Sequence, residues 1–482
     1  MKNLAFATIK ELKEKLKNKE ITVEELLTFF KDRFEKFDGE LGSALAIFDT
    51  KSILKETANY EGLLGGIPGI LKDNICQKSR ITSCASKILE NFVSTYDATV
   101  TENLKKEGAL LIGRANMDEF AMGSSSETSA FKLIKNPWNK ECSPGGSSGG
   151  PAAAVAAGLI PWALGTDTGG SIRQPAALCG VVGIKPTYGS VSRSGVIALG
   201  SSLDQVGVLT RTVYDNALVY SVIAGNDPKD STSANVEKKD YTKQLTGKLP
   251  ENLKIGVVEN AVNAEGIDKD IHNAVQAAIS KLEKLGAKIK KVNLKSLEYA
   301  TAAYIIINRS EAASNLARFD GVRYGFRAPE YKTLNEMYNK TRDDGFGDEV
   351  KLRILIGNYV LAADHVGDFC ANAEKVRSWI KKEFQDAFQD VDLLVMPTTG
   401  GAAFKIGSLI DNPIEMILQD FFTVSINLAG VPAVSIPCGF TKNNLPIGFQ
   451  LIGPHFAEEV LFQVGHAYQE NTEWHKKHPE GY

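Results

Sequence analysis

Residues 143–152 read SPGGSSGGPA and, after an alanine-rich stretch, residues 165–175 read GTDTGGSIRQP. Glycine lets the backbone take positive φ angles and come close to a bound group. The hydroxyls between these glycines supply hydrogen-bond donors and potential nucleophiles on the exposed backbone. The apolar segment between the two loops has the length of one short helix and one strand. Together the two loops predict an active site built around a helix and a strand.

Outward from these loops, short apolar runs alternate with helical patterns along the chain. We expect strands at 109–113, 159–165, 254–258, 287–292, 393–396, 431–438 and 446–452, and helices at 97–107, 151–157, 268–285 and 372–389. Such alternation is typical of an α/β fold. The sequence therefore predicts a large mixed β-sheet covered by helices on both faces.

The chain of 482 residues is expected to form a single domain over residues 1–482. Its first segment, about 1–60, is predicted to be helical, because Thr22 and Glu25 form a plausible capping box with apolar residues at helical spacing behind it. The polar stretch 225–247 is the best candidate for a linker, or equally for a surface excursion within one domain.

The composition, with 43% hydrophobic and 23% charged residues, is that of a soluble globular protein. A formal net charge of −3 gives no electrostatic footprint for unaided nucleic-acid binding. The six cysteines form no CxxC pair, so we expect reduced thiols and neither a disulfide framework nor a metal site. Without a signal-peptide pattern or a long apolar stretch, the chain is expected to be cytoplasmic.

Two familiar catalytic patterns fit this sequence poorly. Residues 145–149 match the G-x-S-x-G pattern of α/β-hydrolases, but the segment before them, 136–144, is rich in turn formers where that pattern needs a strand. All six histidines lie at 272 or later, in no setting that suggests a site. A Ser-His-Asp arrangement is therefore disfavoured, and a G-x-x-x-x-G-K-[ST] phosphate loop is absent from the sequence.

Lys72 is the candidate for a base other than histidine, because it ends the apolar, glycine-lined run GGIPGILK at 65–72. For an isolated lysine, a surface position at the end of a strand is the simpler interpretation. Burial would favour the neutral form, and a lysine that acts as a base near neutral pH needs its pKa lowered from ~10.4 to roughly 7–8. A Ser–Lys arrangement of this kind requires no histidine.

The two loops, continued by GVVGIKPTYG at 180–189, resemble the amidase signature family. Here 75 positions separate Lys72 from Ser147 and 24 separate Ser147 from Ser171, which are the intervals of that family. The resemblance implies the amidase signature fold and a Ser–Ser–Lys triad. Ser171 would be the nucleophile, Ser147 a proton-relaying serine on a cis peptide bond, and Lys72 the base.

The same resemblance implies an oxyanion hole on the second loop. Its donors would be the backbone N–H groups of Thr168, Gly169, Gly170 and Ser171. Clustered backbone donors of this kind stabilise the charge of a tetrahedral intermediate.

Within the family, the chain resembles the glutamine-hydrolysing subunits of tRNA-dependent amidotransferases, from its N-terminal helices to Gly453. The resemblance implies that Arg353 binds the α-carboxylate of glutamine, Asp420 binds its α-ammonium and Tyr304 lines the pocket. From composition alone, Arg353 and Asp420 would be surface charges. The strings outside the signature that carry this resemblance are NMDEFAMGSS at 116–125, SEAASNLARFDGVRY at 310–324 and TRDDGFGDEVK at 341–351.

Partners are implied as well. Ammonia from glutamine would pass through a tunnel to the B subunit, which would activate Glu-tRNA(Gln) with ATP and Mg²⁺, and a small C subunit would bridge the two in a heterotrimer. We expect no cofactor and no metal on this chain, and contact with charged tRNA through the partner. Two alternatives stay open: a free-standing amidase acting on another amide, and a catalytically silent scaffold.

Three places depart from the family pattern. Pro151 follows the double glycine where a small residue is common, but it suits the start of a helix. Asp364-His365-Val366 stand where a tyrosine-rich stretch is usual, and Ser425-Ile426 replace a Pro-Ala pair. We expect these changes to affect contacts between subunits or pocket lining more than the reaction.

Overall fold

The computed structural model describes residues 4–56 and 60–482, and within them eleven strands form one sheet. The strands are β1 (Ala44–Ile47), β2 (Pro68–Lys72), β3 (Leu110–Ala115), β4 (Trp162–Asp167), β5 (Val182–Lys185), β6 (Gln205–Thr210), β7 (Lys254–Val258), β8 (Lys288–Val292), β9 (Leu393–Pro397), β10 (Ala433–Phe440) and β11 (Pro446–Ile452). Their order across the sheet is β1-β3-β2-β4-β6-β5-β10-β11-β9-β7-β8.

The sheet is mixed, as the sequence predicts. Parallel pairing joins β3, β2 and β4 on one side, and β9, β7 and β8 on the other. Antiparallel pairing connects these two blocks through β6, β5, β10 and β11, and adds β1 at one edge. Strands β2, β4, β6 and β9 are buried at every residue, so both faces of the sheet are covered. The predicted α/β fold is confirmed.

Sixteen α-helices occur in the described part of the chain. They are α1 (Ile9–Lys17), α2 (Val23–Leu41), α3 (Thr50–Glu56), α4 (Thr99–Lys106), α5 (Gly149–Ala156), α6 (Arg173–Cys179), α7 (Val213–Ile223), α8 (Glu259–Val262), α9 (Lys269–Lys284), α10 (Leu297–Leu316), α11 (Leu334–Gly345), α12 (Asp348–Leu361), α13 (Val366–Ala387), α14 (Pro413–Leu418), α15 (Val424–Ala429) and α16 (Glu458–Glu470).

The N-terminal segment contains the three helices α1, α2 and α3, and residues 1–3 and 57–59 of the predicted range lie outside the described residues. Thr22 and Glu25 form the predicted capping box at the start of α2: the Glu25 N–H donates to Thr22 Oγ1, and the Thr22 N–H donates to the Glu25 carboxylate. The short strand β1 interrupts this segment and was not predicted from the sequence.

Element boundaries agree best where a glycine or a sharp change of polarity marks them. The strand predicted at 254–258 is β7 without any change. The helix predicted at 372–389 is wrong at its start, because α13 begins at Val366. The stretch 225–247 contains neither helix nor strand, and Tyr241 within it is buried against the core. The division of the chain into domains stays a prediction.

The topology places the two glycine-rich loops beside the predicted lysine. Strands β2 and β4 are parallel neighbours, so their carboxyl ends meet at the same edge of the sheet. Lys72 is the last residue of β2, and the loop that carries Ser171 follows β4. The other loop, 143–148, leads into α5, which packs beside these strands. Loops at the carboxyl ends of such strands are where α/β proteins bind ligands.

Candidate active site

Lys72 is fully buried at the end of β2 and reaches both glycine-rich loops. Its Nζ donates to Ser147 Oγ at 2.7 Å, to Ser148 Oγ at 2.8 Å and to the Thr166 carbonyl at 3.3 Å. Burial lowers the pKa of Lys72 to about 7, against the opposing effect of nearby carboxylates such as Asp118. The lysine is therefore poised to exchange a proton near neutral pH.

The loop before α5 is held by its backbone. The Gly146–Ser147 peptide bond is cis, which is the geometry that the family resemblance implies. The Gly146 N–H donates to Gln174 Oε1 at 2.9 Å. A Cβ on Gly146 would lie 2.0 Å from Asp118 Oδ2, so only glycine fits at this position. The Ser148 N–H donates to the Ser171 carbonyl at 3.1 Å, which joins this loop directly to the second one.

Asp167 organises the second loop. Its carboxylate accepts the N–H groups of Gly170 at 2.9 Å and Ile172 at 3.2 Å, and it pairs with Arg173 at 3.0 Å. Burial alone would raise the pKa of Asp167, but the adjacent Arg173 guanidinium lowers it to about 2. A carboxylate that is ionised near neutral pH therefore fixes the turn on which Ser171 sits. Ser171 itself is 9% exposed, and its hydroxyl makes no hydrogen bond within the described residues.

The donor set predicted for the oxyanion hole needs a correction at Gly170. Its N–H already donates to Asp167, so it is not free for a developing oxyanion. The backbone N–H groups of Thr168, Gly169 and Ser171 have no acceptor among the described residues. Three of the four predicted donors thus stay available, and Asp167 explains why the fourth does not.

Tyr304 and Asp420 lie directly against the Ser171 loop. A Cβ on Gly169 would come within 2.6 Å of Tyr304 Oη, and one on Gly170 within 3.2 Å of Asp420 Oδ1. Burial raises the pKa of Asp420 to about 7, although the hydrogen bond from Ser124 Oγ to its Oδ2 at 2.6 Å works against this. Burial also raises the pKa of the Tyr304 hydroxyl.

Arg353 comes from α12 and joins the same cluster electrostatically, since it acts on both Tyr304 and Asp420. Its side chain is 15% exposed, and its Nε donates to Glu349 Oε1 at 2.7 Å. Burial lowers the pKa of Arg353, but Glu349 and the other nearby anions more than compensate, so the net shift is upward. The two Nη groups donate to no atom of the described residues and can bind a carboxylate.

Several residues of this site escaped the sequence analysis. Ser148 Oγ accepts a further hydrogen bond from the Lys72 amine. Ser124 Oγ donates to the Asp420 carboxylate. Thr423 Oγ1 donates to the Gly169 carbonyl at 2.6 Å. The first two belong to serine-rich strings that a search for hydroxyls beside the predicted site would have included. Thr423 lies in no recognisable pattern, and only the folded chain brings it to the loop.

The departures from the family pattern fall in different places. Pro151 sits in the first turn of α5, as expected. Asp364 is exposed on the surface between α12 and α13, where the His365 ring lies tilted against Tyr359 at 4.3 Å between ring centroids. Ser425 is buried in α15, and its hydroxyl has no hydrogen-bond partner among the described atoms. Nothing in the structure explains why a serine stands there.

The residues that the structure describes contain no cluster of three or more potential metal ligands among His, Cys, Asp and Glu. None of the described helices is long and apolar enough to cross a membrane.

Comparisons with known proteins agree with this geometry. A family model described as Amidase matches residues 25–462. The A subunit of glutamyl-tRNA(Gln) amidotransferase from Halothermothrix orenii is 48% identical over 473 residues, which are 98% of this chain and 98% of that relative. The crystal structure of the corresponding A subunit from Thermotoga maritima matches with a TM-score of 0.83 at 40% identity, over 98% of this chain and 96% of that one. A 6-aminohexanoate cyclic dimer hydrolase bound to substrate, at 24% identity, a TM-score of 0.85 and 99% coverage of both chains, shares the fold.

Proposed function

The chain belongs to the amidase family, and from this membership we propose that it hydrolyses glutamine as a subunit of a tRNA-dependent amidotransferase. The observation that carries the proposal is the position of Tyr304 and Asp420 against the Ser171 loop, together with the electrostatic effect of the Arg353 guanidinium on both. Free glutamine is a zwitterion, and a cation with an adjacent carboxylate complements both of its α-groups. Relatives named as A subunits of glutamyl-tRNA(Gln) amidotransferase support the assignment to an amidotransferase.

In the proposed reaction, Ser171 Oγ attacks the side-chain amide carbon of glutamine. Its proton passes to Ser147 Oγ while Ser147 gives its own proton to the neutral Lys72 amine, 2.7 Å away. The pKa of about 7 at Lys72 lets a large fraction of molecules hold the neutral base at physiological pH. The free backbone N–H groups of Thr168, Gly169 and Ser171 stabilise the negative charge that develops on the amide oxygen.

Collapse of the tetrahedral intermediate breaks the carbon–nitrogen bond. The proton on Lys72 returns through Ser147 to the departing nitrogen, which leaves as ammonia, and Ser171 is left as a γ-glutamyl ester. Water then attacks the ester with the same base, releasing glutamate and restoring the Ser171 hydroxyl. Ser148 and the Thr166 carbonyl keep the lysine amine in place throughout, because they hold its other two hydrogen bonds.

Recognition of the α-groups belongs to the second part of the site. The Nη groups of Arg353 would donate to the α-carboxylate in a bidentate manner. Asp420 would bind the α-ammonium, whose charge favours the ionised form of this carboxylate despite its burial. Tyr304 would close the pocket beside Gly169.

We further propose that the ammonia serves a partner. The B subunit would activate Glu-tRNA(Gln) with ATP and Mg²⁺, the C subunit would bridge the heterotrimer, and charged tRNA would bind through the partner in the cytoplasm. This chain would hold no cofactor of its own. The naming of its relatives as one part of an amidotransferase supports an assembly.

The test is glutamine hydrolysis by the chain alone and co-purified with its partners, followed by formation of Gln-tRNA(Gln). Glutamine turnover that feeds amidation of the tRNA is the expected result. Faster turnover of an unrelated amide would favour a free-standing amidase, and absence of hydrolysis in every preparation would favour a silent scaffold.

A further inference from the structure

Helix α12, which carries Arg353, packs along α10, and two of its contacts with neighbouring segments are especially close. At its start, the N–H of the N-cap residue Gly347 donates to Glu119 Oε2 at 2.9 Å. Further along, Gly357 lies so close to α10 that a Cβ there would come within 2.1 Å of the Arg309 carbonyl. Arg353 lies between these two contacts.

Glu119 is well placed to make the first of these contacts. It is 1% exposed, and Ser86 Oγ donates to its Oε1. A Cβ on Gly347 would lie 2.4 Å from Glu119 Oε2, so the carboxylate fills the space at the helix start. A carboxylate at this position also complements the partial positive charge of a helix N-terminus.

Glu119 also connects to the catalytic loop. The preceding residue, Asp118, donates its N–H to the Ser147 carbonyl at 3.3 Å and lies against Gly146. The Glu119 N–H donates to Thr128 Oγ1 at 3.0 Å. A short, buried segment thus spans the distance from the serine of the proton relay to the helix of the substrate-binding arginine.

We propose that Glu119 is a positioning residue that sets the location of Arg353 relative to the catalytic loop by holding the N-terminus of α12. The inference rests on the proposed glutamine pocket. Loss of the attachment at Gly347 removes one constraint on the start of α12, which can then tilt about the close contact at Gly357 within its packing against α10. At a rise of about 1.5 Å per residue, Arg353 sits about 6 Å from that contact and Gly347 about 15 Å. A shift of about 1 Å at the helix start then moves Arg353 by roughly 0.4 Å, enough to weaken a bidentate contact.

Glu119→Gln tests this role with little change of size, because the loss of the charge weakens the hydrogen bond from the Gly347 N–H and the interaction with the helix N-terminus. Burial raises the pKa of Glu119 to about 7, with Lys351 lowering it and Asp348 raising it from α12. Assays should therefore run well above that pH, where the wild-type carboxylate is ionised. Gly347→Ala provides a second variant, since its methyl group would displace the carboxylate without straining the backbone.

Asp215→Asn is the matched control. Asp215 is another buried carboxylate at the start of a helix, where both of its oxygens lie 3.1 Å from the Ile9 N–H of α1, remote from the site. Both substitutions remove a buried charge from a helix N-terminus, so thermal unfolding shows whether a lower stability alone changes the kinetics.

The expected result is a KM for glutamine about tenfold higher in Glu119→Gln and in Gly347→Ala. Such a rise corresponds to Arg353 being in its binding position in only about a tenth of the molecules. The kcat for glutamine and the hydrolysis of a short aliphatic amide should stay near wild type, as should every kinetic constant of Asp215→Asn. In an Arg353→Ala background, Glu119→Gln should have no further effect on KM.

An equal loss on glutamine and on the aliphatic amide, or a full additional loss in the Arg353→Ala background, would overturn the role of Glu119 and leave the proposed function standing. A wild-type enzyme that does not hydrolyse glutamine at all would overturn both.

Discussion

Replacing Arg353 by alanine probes whether the cluster beside the Ser171 loop is built for an amino acid. Losing one partner of a desolvated charge pair costs about 2–5 kcal/mol. Here the arginine side chain is 15% exposed and Glu349 is 34% exposed, so water can solvate the groups left behind. The lower part of the range applies, about 2–3 kcal/mol, which is a fall of roughly 30- to 150-fold in kcat/KM for glutamine.

The assay compares steady-state hydrolysis of glutamine with that of a short aliphatic amide lacking both α-groups. The second substrate should be affected far less, because Lys72, Ser147 and Ser171 share no hydrogen bond with Arg353 in the described structure. Arg342→Ala is the control, since this arginine binds the Leu316 and Phe319 carbonyls and holds structure rather than substrate. It should leave the ratio between the two substrates unchanged.

Two outcomes would refute this reasoning. A parallel collapse of activity on both substrates would identify Arg353 as a structural residue of α12. No loss on either substrate would remove the glutamine pocket from the proposal and favour a free-standing amidase.

Two more predictions concern the titrating groups of the site. Lys72→Arg should be almost as inactive as Lys72→Ala, because arginine cannot give up its proton in a protein. Lys105 is more exposed, and the control variant Lys105→Arg should keep wild-type turnover. An active Lys72→Arg enzyme would exclude the lysine as base. The pKa of about 7 at both Lys72 and Asp420 means that acid puts both groups in the wrong state, the lysine charged and the carboxylate neutral. In the Glu119→Gln variant, which lacks the titration of the Glu119 carboxylate, log kcat/KM for glutamine below neutrality should therefore rise with pH at a slope of about 2, and that for the aliphatic amide at about 1. Equal slopes would count against Asp420 as a substrate ligand.

Strands and helices could be predicted from the sequence where the local pattern of polar and apolar residues matches the burial of those residues in the fold. Strand β7 was predicted to the residue because polar and turn-forming residues bound an apolar run. The start of α13 was missed because Val366 and Phe369 are exposed. Apolar residues on the outer surface of a helix do not follow the periodicity of a buried face, so the pattern reveals no helix start there.

The candidate site, too, could be predicted from the sequence only in part. The structure brings Lys72 to the Ser171 loop because the strands β2 and β4 that lead to them are neighbours in the sheet, and the Lys72 amine reaches Ser147 in the loop before α5. The occupied N–H of Gly170 was beyond sequence reasoning, because the Asp167 side chain folds back onto the following turn. The contact of Glu119 with Gly347 joins residues 228 positions apart and exists only in the assembled fold.

The most direct test of the proposed reaction is the Ser171→Ala variant in the complete complex, assayed for Gln-tRNA(Gln) formation with glutamine and with ammonium chloride as nitrogen donors. The substitution removes one hydroxyl that makes no hydrogen bond in the described structure, so the fold and the assembly should persist. Glutamine-dependent amidation should vanish while ammonium-dependent amidation continues at the wild-type rate. Glutamine-dependent amidation at a near-normal rate would contradict Ser171 as the nucleophile and with it the proposed mechanism.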